Sequence, residues 1–88
     1  MTEQLRIRPD AVEWREVEGE IVALDLRRSL YLAINPSGAV LWPSLVEGAS
    51  REELVDRLCT RWGIGPDAAG RDVDAFLSEL GDQDLLQG

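Results

Sequence analysis

Apolar residues alternate with polar ones through the first part of the chain and then recur every three or four positions through the rest. Val12, Trp14 and Glu16 alternate with Glu13, Arg15 and Val17, and Glu18-Gly19 supplies a turn before EIVALDL runs from Glu20 to Leu26. Arg27-Arg28-Ser29 is a second short connection, after which SLYLAI, Ser29 to Ile34, reads as a third strand. A three-stranded antiparallel meander is the expectation. Val22, Leu24 and Leu26 form one alternating set, and Leu30, Leu32 and Ile34 another; both are assigned to the buried face, with Tyr31 and Ala33 pointing away. Leu5 and Ile7 alternate as a short strand before the meander.

The period changes at Asn35-Pro36. Asparagine is a good N-cap, and proline is tolerated in the first helical turn because its missing N–H would be unpaired there anyway. A helix carrying Val40, Leu41, Trp42 and Leu45 follows, shortened or kinked by Pro43 and ending near Val46. Ser50 and Glu53 have capping-box spacing and open a second helix with Leu54, Val55, Leu58 and Trp62 at helical intervals, which Gly63 stops. Gly65-Pro66-Asp67 opens a third, with Val73, Phe76, Leu77 and Leu80 at i, i+3, i+4 and i+7 and Gly81 as its terminator. Asp84-Leu85-Leu86 is a tail that packs back on the core. The expected fold is α+β, a single domain over residues 1–88 in the order β-β-β-α-α-α, winged helix-turn-helix-like.

Composition narrows what such a domain does. Among 88 residues there are nine basic and seventeen acidic side chains, a formal charge of −8, one cysteine and no histidine. The commonest general base and metal ligand is therefore missing, and one cysteine forms neither an internal disulfide nor a zinc cage. No cofactor or metal is expected. Nucleic-acid affinity rests on Lys and Arg displacing phosphate counterions, so a surface this acidic disfavours it. A winged-helix DNA binder needs a basic recognition helix, yet Ser50 to Trp62 carries three arginines against three acids and Pro66 to Gly81 is net acidic. No apolar run approaches the roughly 20 residues of a membrane span, and the first ten residues lack a signal-peptide apolar region, which points to a cytoplasmic protein with Cys59 reduced.

The remaining candidate chemistry is sparse. The acids fall mainly on exposed helix faces; Asp72 adjoins the apolar stripe of the third helix and is placed to accept a hydrogen bond from a ligand or from its neighbours. Arg57 and Arg61 stand two positions from Cys59, a spacing that does not face it on a helix, so the thiol reads as packing. Trp42 and Trp62 occupy apolar helical positions and read as core filling, and Trp14 sits on a strand. Gly63-Ile64-Gly65-Pro66 lacks the lysine of a phosphate-cradling loop. Without a catalytic constellation, binding is the better class of function.

The place to bind is a strand edge. In a meander of order one, two, three, the third strand leaves one row of backbone N–H and C=O groups free, and SLYLAI has neither proline, lysine nor an inward charge to guard it. An extended peptide can add there, with the third helix as the far wall of a groove. The alternatives are that Leu5 to Arg8 covers the edge or that a homodimer does, as in a purely structural subunit.

EIVALDL from Glu20, YLAINPSGAVLW from Tyr31 to Trp42, EGASREELVDRL from Glu47, and DVDAFLSEL from Asp72 to Leu80, followed by Leu85-Leu86, together resemble the PqqD-like family. These are the small modules also called RiPP precursor recognition elements. The resemblance implies a non-catalytic protein that holds the leader segment of a ribosomally made precursor peptide as a further antiparallel strand on the third strand. It implies a groove with Arg27, Arg28, Ser29, Leu30, Tyr31, Leu32 and Ala33 on one side. Asp72, Val73, Phe76, Leu77 and Leu80 lie on the other.

Within the family, the Tyr31-x-x-Ile34-Asn35 junction and the stand-alone length are more like the lasso-peptide members than the pyrroloquinoline quinone pathway protein, which ranks second. Pro43 departs from the family's first helix. The lasso resemblance implies three partners: a precursor leader with tyrosine, proline and leucine anchors, a cysteine-protease-like leader peptidase, and an ATP-dependent macrocyclase. The acidic charge and the lack of a long apolar run add the expectation of no nucleic acid and no membrane among the partners.

Overall fold

In a computed structural model that describes residues 4–87, two short strands pair near the two ends and a three-stranded sheet is followed by three helices, the first of which packs on the sheet. The elements are β1 (Arg6–Ile7), β2 (Val12–Val17), β3 (Glu20–Asp25), β4 (Leu30–Leu32), α1 (Pro36–Glu47), α2 (Arg51–Trp62), α3 (Pro66–Asp82) and β5 (Leu86–Gln87). The larger sheet is antiparallel in the order β2-β3-β4, the expected meander, although its third strand is shorter than SLYLAI.

The β2–β3 hairpin closes through Glu18 and Gly19, both at positive φ (52° and 82°) between the paired Val17 and Glu20. That is the two-residue turn whose twist suits antiparallel strands. On β2, Val12 is buried and Trp14 packs against Trp42 of α1. On β3, however, Ile21, Ala23 and Asp25 point inward, and Val22 and Leu24 lie on the outer face; Leu26, just beyond the strand, is exposed. This reverses the expected phase. Both phases of EIVALDL are apolar, and volume decides between them: Trp14 lies opposite Ala23, and the Trp42 ring stands edge-on to Trp14 at 6.1 Å, so a small residue is needed there.

Asp25 is inward because its carboxylate organises the next turn. Its Oδ1 accepts the backbone N–H groups of Arg27 (3.0 Å) and Arg28 (3.2 Å), and Ser29 completes the turn at φ 55°.

The helices begin where local chemistry places them. Asn35 accepts the N–H of Gly38 at 2.7 Å, and Ser50 and Glu53 form the reciprocal capping box. Gly63 ends α2 in the left-handed conformation, its N–H bonding to the Cys59 carbonyl. α1 runs through Pro43 to Glu47, one residue past the expected end.

Trp42 is fully buried at the centre of the core, 6.4 Å from Phe76 on α3. Trp62, expected as core filling, is 38% exposed: Leu54 and Leu58 are buried, and the last turn of α2 runs beyond what they pack against.

α3 passes its expected terminator, Gly81, and ends in a Schellman motif. The N–H of Leu85 bonds to the Leu80 carbonyl (2.9 Å) and that of Asp84 to the Gly81 carbonyl (3.0 Å), with Asp84 rather than glycine in the left-handed position at φ 58°. Leu80 and Leu85 are both buried, the apolar contact that accompanies the motif. The tail then pairs as β5 with β1, and Leu5 exchanges backbone hydrogen bonds with Ala49 (2.8 and 2.9 Å). Leu5 to Arg8 is thereby held between Ala49 and the C-terminal tail, so it does not cover β4.

Candidate peptide-binding site

Among the described residues, the outer edge of β4 is unpaired. Its side chains are open as well: Leu30 is 58% and Tyr31 77% exposed, while Leu32 is half-buried against the core and Ala33 exposed. Register fixes their faces. Leu30 lies opposite Asp25 and Leu32 opposite Ala23, on the helix side, whereas Tyr31 lies opposite Leu24 on the outer face. A strand added beyond β4 would therefore present alternate side chains inward toward α3 and outward beside Tyr31.

The far wall is α3, which packs on α2 and α1 rather than on β4. Helical spacing sorts its faces. Gly70 approaches the Arg51 guanidinium of α2, and Asp74 accepts two hydrogen bonds from it (2.8 and 2.9 Å), so Gly70, Asp74 and Leu77, at i, i+4 and i+7, form the α2 side. Asp72, Phe76, Glu79 and Gln83 form the opposite stripe, and the Gln83 carbonyl accepts from Arg27, at the β3–β4 turn. The structure thus puts Asp72 and Phe76 on the groove side, Val73 and Leu80 in the core, and Leu77 toward α2. Glu79 and the C-cap residue Gln83 fall at helical spacing from Asp72, a spacing already present in the sequence.

The floor depends on a close approach. Phe76 is buried against α1 where Gly38 has no side chain: a Cβ there would lie 2.6 Å from Phe76 Cε1. Glycine is needed for space, not for conformation.

Arg27 closes one end of the groove. Its Nη1 donates to Asp84 Oδ2 (3.1 Å) and its Nη2 to the carbonyls of Gln83 (3.1 Å) and Asp84 (2.9 Å), joining the β3–β4 turn to the end of α3. Of the expected site residues, Arg27 is therefore committed to the fold. Its hydrogen bond, with the charge of Arg8 behind it, holds the Asp84 carboxyl below the usual carboxylate range. Arg28 is about half exposed, with Nε 3.9 Å from the buried Asp25 Oδ2, an oxygen that has no hydrogen-bond partner. Arg28 and Ser29 are both exposed at the turn that leads into β4.

The arrangement offers backbone pairing, an apolar floor and charges of both signs at its margins. No group of three His, Cys, Asp or Glu among the described residues is arranged to hold a metal ion.

Comparison with known proteins agrees with this fold. Residues 20–86 match the family described as coenzyme PQQ synthesis protein D (PqqD). The structure of TbiB1 in complex with the TbiA(beta) leader peptide superposes with a TM-score of 0.83 at 32% identity, covering 94% of this chain and 95% of that one. A lasso peptide synthetase B1 complexed with the leader peptide superposes with a TM-score of 0.80 over 98% of this chain and 100% of that one; at 22% identity it shows the shared fold. Curated protein sequences give no match.

Proposed function

The chain belongs to the PqqD family, and from that premise we propose that it binds the leader segment of a ribosomally synthesised precursor peptide, of the lasso class, by antiparallel strand addition to β4. The observation that carries this is the unpaired β4 edge, with Leu30 exposed on the helix side and Tyr31 on the outer face. The 32%-identical TbiB1, solved in complex with a leader peptide, supports leader binding, and the lasso peptide synthetase B1 complexed with the leader peptide supports the lasso reading over the coenzyme pathway that names the family.

The protein itself performs no chemistry in this reading. A disordered leader loses conformational freedom at a cost of about 2–5 kcal/mol on ordering. Backbone hydrogen bonds along β4 and inward side chains against Leu30, Leu32 and Phe76 offset it, leaving a net affinity in the micromolar to nanomolar range, roughly −8 to −12 kcal/mol. The held leader is then presented, in the cytoplasm, to a cysteine-protease-like leader peptidase and an ATP-dependent macrocyclase. Absence of histidine and the lone cysteine fit a module that leaves catalysis to such partners. No helix among the described residues is long and apolar enough to cross a membrane.

Binding of the synthetic TbiA(beta) leader peptide to wild type and to Leu30→Asp tests the reading. Leu30 is exposed, so the variant should keep its circular dichroism spectrum and lose at least about tenfold in affinity by burying an unpaired carboxylate in the groove. A folded variant that binds like wild type would place the site elsewhere.

A further inference from the structure

A second concavity, about 1110 Å3, opens at the other end of β4, between the β2–β3 hairpin tip, α1 and the last turn of α2. Its apolar surface is formed by Ile34 and Val40, both half-buried, and by the exposed Trp62. Its rim carries Glu16, Glu20 and Asp56 against Arg57 and Arg61, and none of these five makes an ion pair among the described residues. These are uncommitted charges, with acids in excess, around an apolar surface that the core does not use.

Ile34 ties this cleft to the groove. Extending the β3–β4 register by two residues sets Ile34 opposite Ile21, at the end of the strand where a peptide antiparallel to β4 has its N-terminal side. Ile34 and Pro36 both line the cleft, which therefore begins where the strand gives way to the first turn of α1. At about 3.3 Å per extended residue, five or six residues pass half-way around a helix about 10–12 Å across.

We propose that this cleft is a second subsite for the leader, taking the residues N-terminal to the added strand, with an apolar side chain on Ile34, Val40 and Trp62 and a Lys or Arg toward Glu16, Glu20 and Asp56. The proposal rests on strand addition at β4 and extends it. It commits the exposed Trp62 to ligand contact and makes specificity depend on a leader segment outside the strand. The acidic excess at the rim selects against an acidic flank.

The test uses 15N-labelled protein and the TbiA(beta) leader peptide carrying a nitroxide at its N-terminus or at its C-terminus. The expected result is that β4 amides shift with either peptide. The N-terminal label should broaden the Trp62 indole and the Val40 amide, and the C-terminal label should instead broaden Arg28 and Asp84. Trp62→Ala should weaken the intact peptide about three- to tenfold, and removing the peptide's upstream residues should erase that difference. If β4 amides shift while the N-terminal label leaves Trp62 and Val40 sharp, the second subsite is wrong and strand addition stands. If β4 amides do not shift although the peptide binds, both fail.

Discussion

The guanidinium of Arg27 holds Asp84 by its carboxylate and its backbone together, at 3.1 Å from Oδ2 and 2.9 Å from the carbonyl oxygen. Asp84 is the left-handed residue that ends α3, and Arg27 belongs to the turn that begins β4. One side chain therefore sets the separation of the two walls of the groove at this end. It also explains why aspartate occupies a position where glycine is usual: its carboxylate has two arginine partners, Arg27 and Arg8.

This pairing makes stability pH-dependent in a definite direction. A carboxyl held below its usual range contributes stability that is fully present above its unfolded value, near 4, and is lost as pH falls through the folded value. Asp84 behaves this way through Arg27, Asp74 through Arg51 and Glu53 through the Ser50 backbone N–H. The urea midpoint should be flat above about pH 5 and fall below about pH 4. Asp84→Asn should start lower at neutral pH and decline less steeply, keeping the part due to Asp74 and Glu53. An unchanged slope would contradict the role of the Arg27 contact.

Gly38→Ala should destabilise the fold although it replaces glycine inside a helix. Helix propensity favours alanine by up to about 1 kcal/mol, but a Cβ placed 2.6 Å from the Phe76 ring overpacks the core at a cost of about 1–3 kcal/mol, so the clash wins. Chemical denaturation measures the difference. Combining it with Phe76→Leu should recover part of the loss, and a stabilised Gly38→Ala would show that the ring has room to move.

Asp25→Ala should lower the denaturation midpoint by the equivalent of about 1–3 kcal/mol, because the backbone N–H groups of Arg27 and Arg28 lose their acceptor. Asp25→Leu, which restores an apolar inward residue, should be no better. If leucine rescues stability, Asp25 is not what organises the β3–β4 turn.

Which parts of this structure were legible in advance follows from the range of the forces involved. The Asn35 cap, the Ser50–Glu53 box and the Gly63 stop are decided within four or five residues, and each stands where the sequence put it. The phase of β3 was not, because Ile21 and Ala23 compete with Val22, Leu24 and Leu26 on equal terms until Trp42, some twenty positions away, fills the inward side. Leu5 to Arg8 was one alternative cover for the β4 edge; Arg6–Ile7 pairs instead with Leu86–Gln87, a contact no local pattern carries.

The groove was legible as an edge strand and a helix, but not by face. An apolar stripe at i, i+3, i+4 and i+7 identifies the side of α3 that is buried. It does not say that Leu77 leans to α2 or that the end of α3 is tied to the β3–β4 turn; the Arg51–Asp74 and Arg27–Gln83 contacts decide that.

Hydrogen exchange at β4 tests strand addition most directly. In the free protein, the N–H groups on the outer edge of Leu30–Leu32 have no partner among the described residues and should exchange rapidly. With the TbiA(beta) leader peptide bound, those amides should become protected, while the solvent-facing amides of α2 keep their rates. A complex that forms while the outer β4 amides exchange as fast as in the free protein would contradict strand addition at this edge.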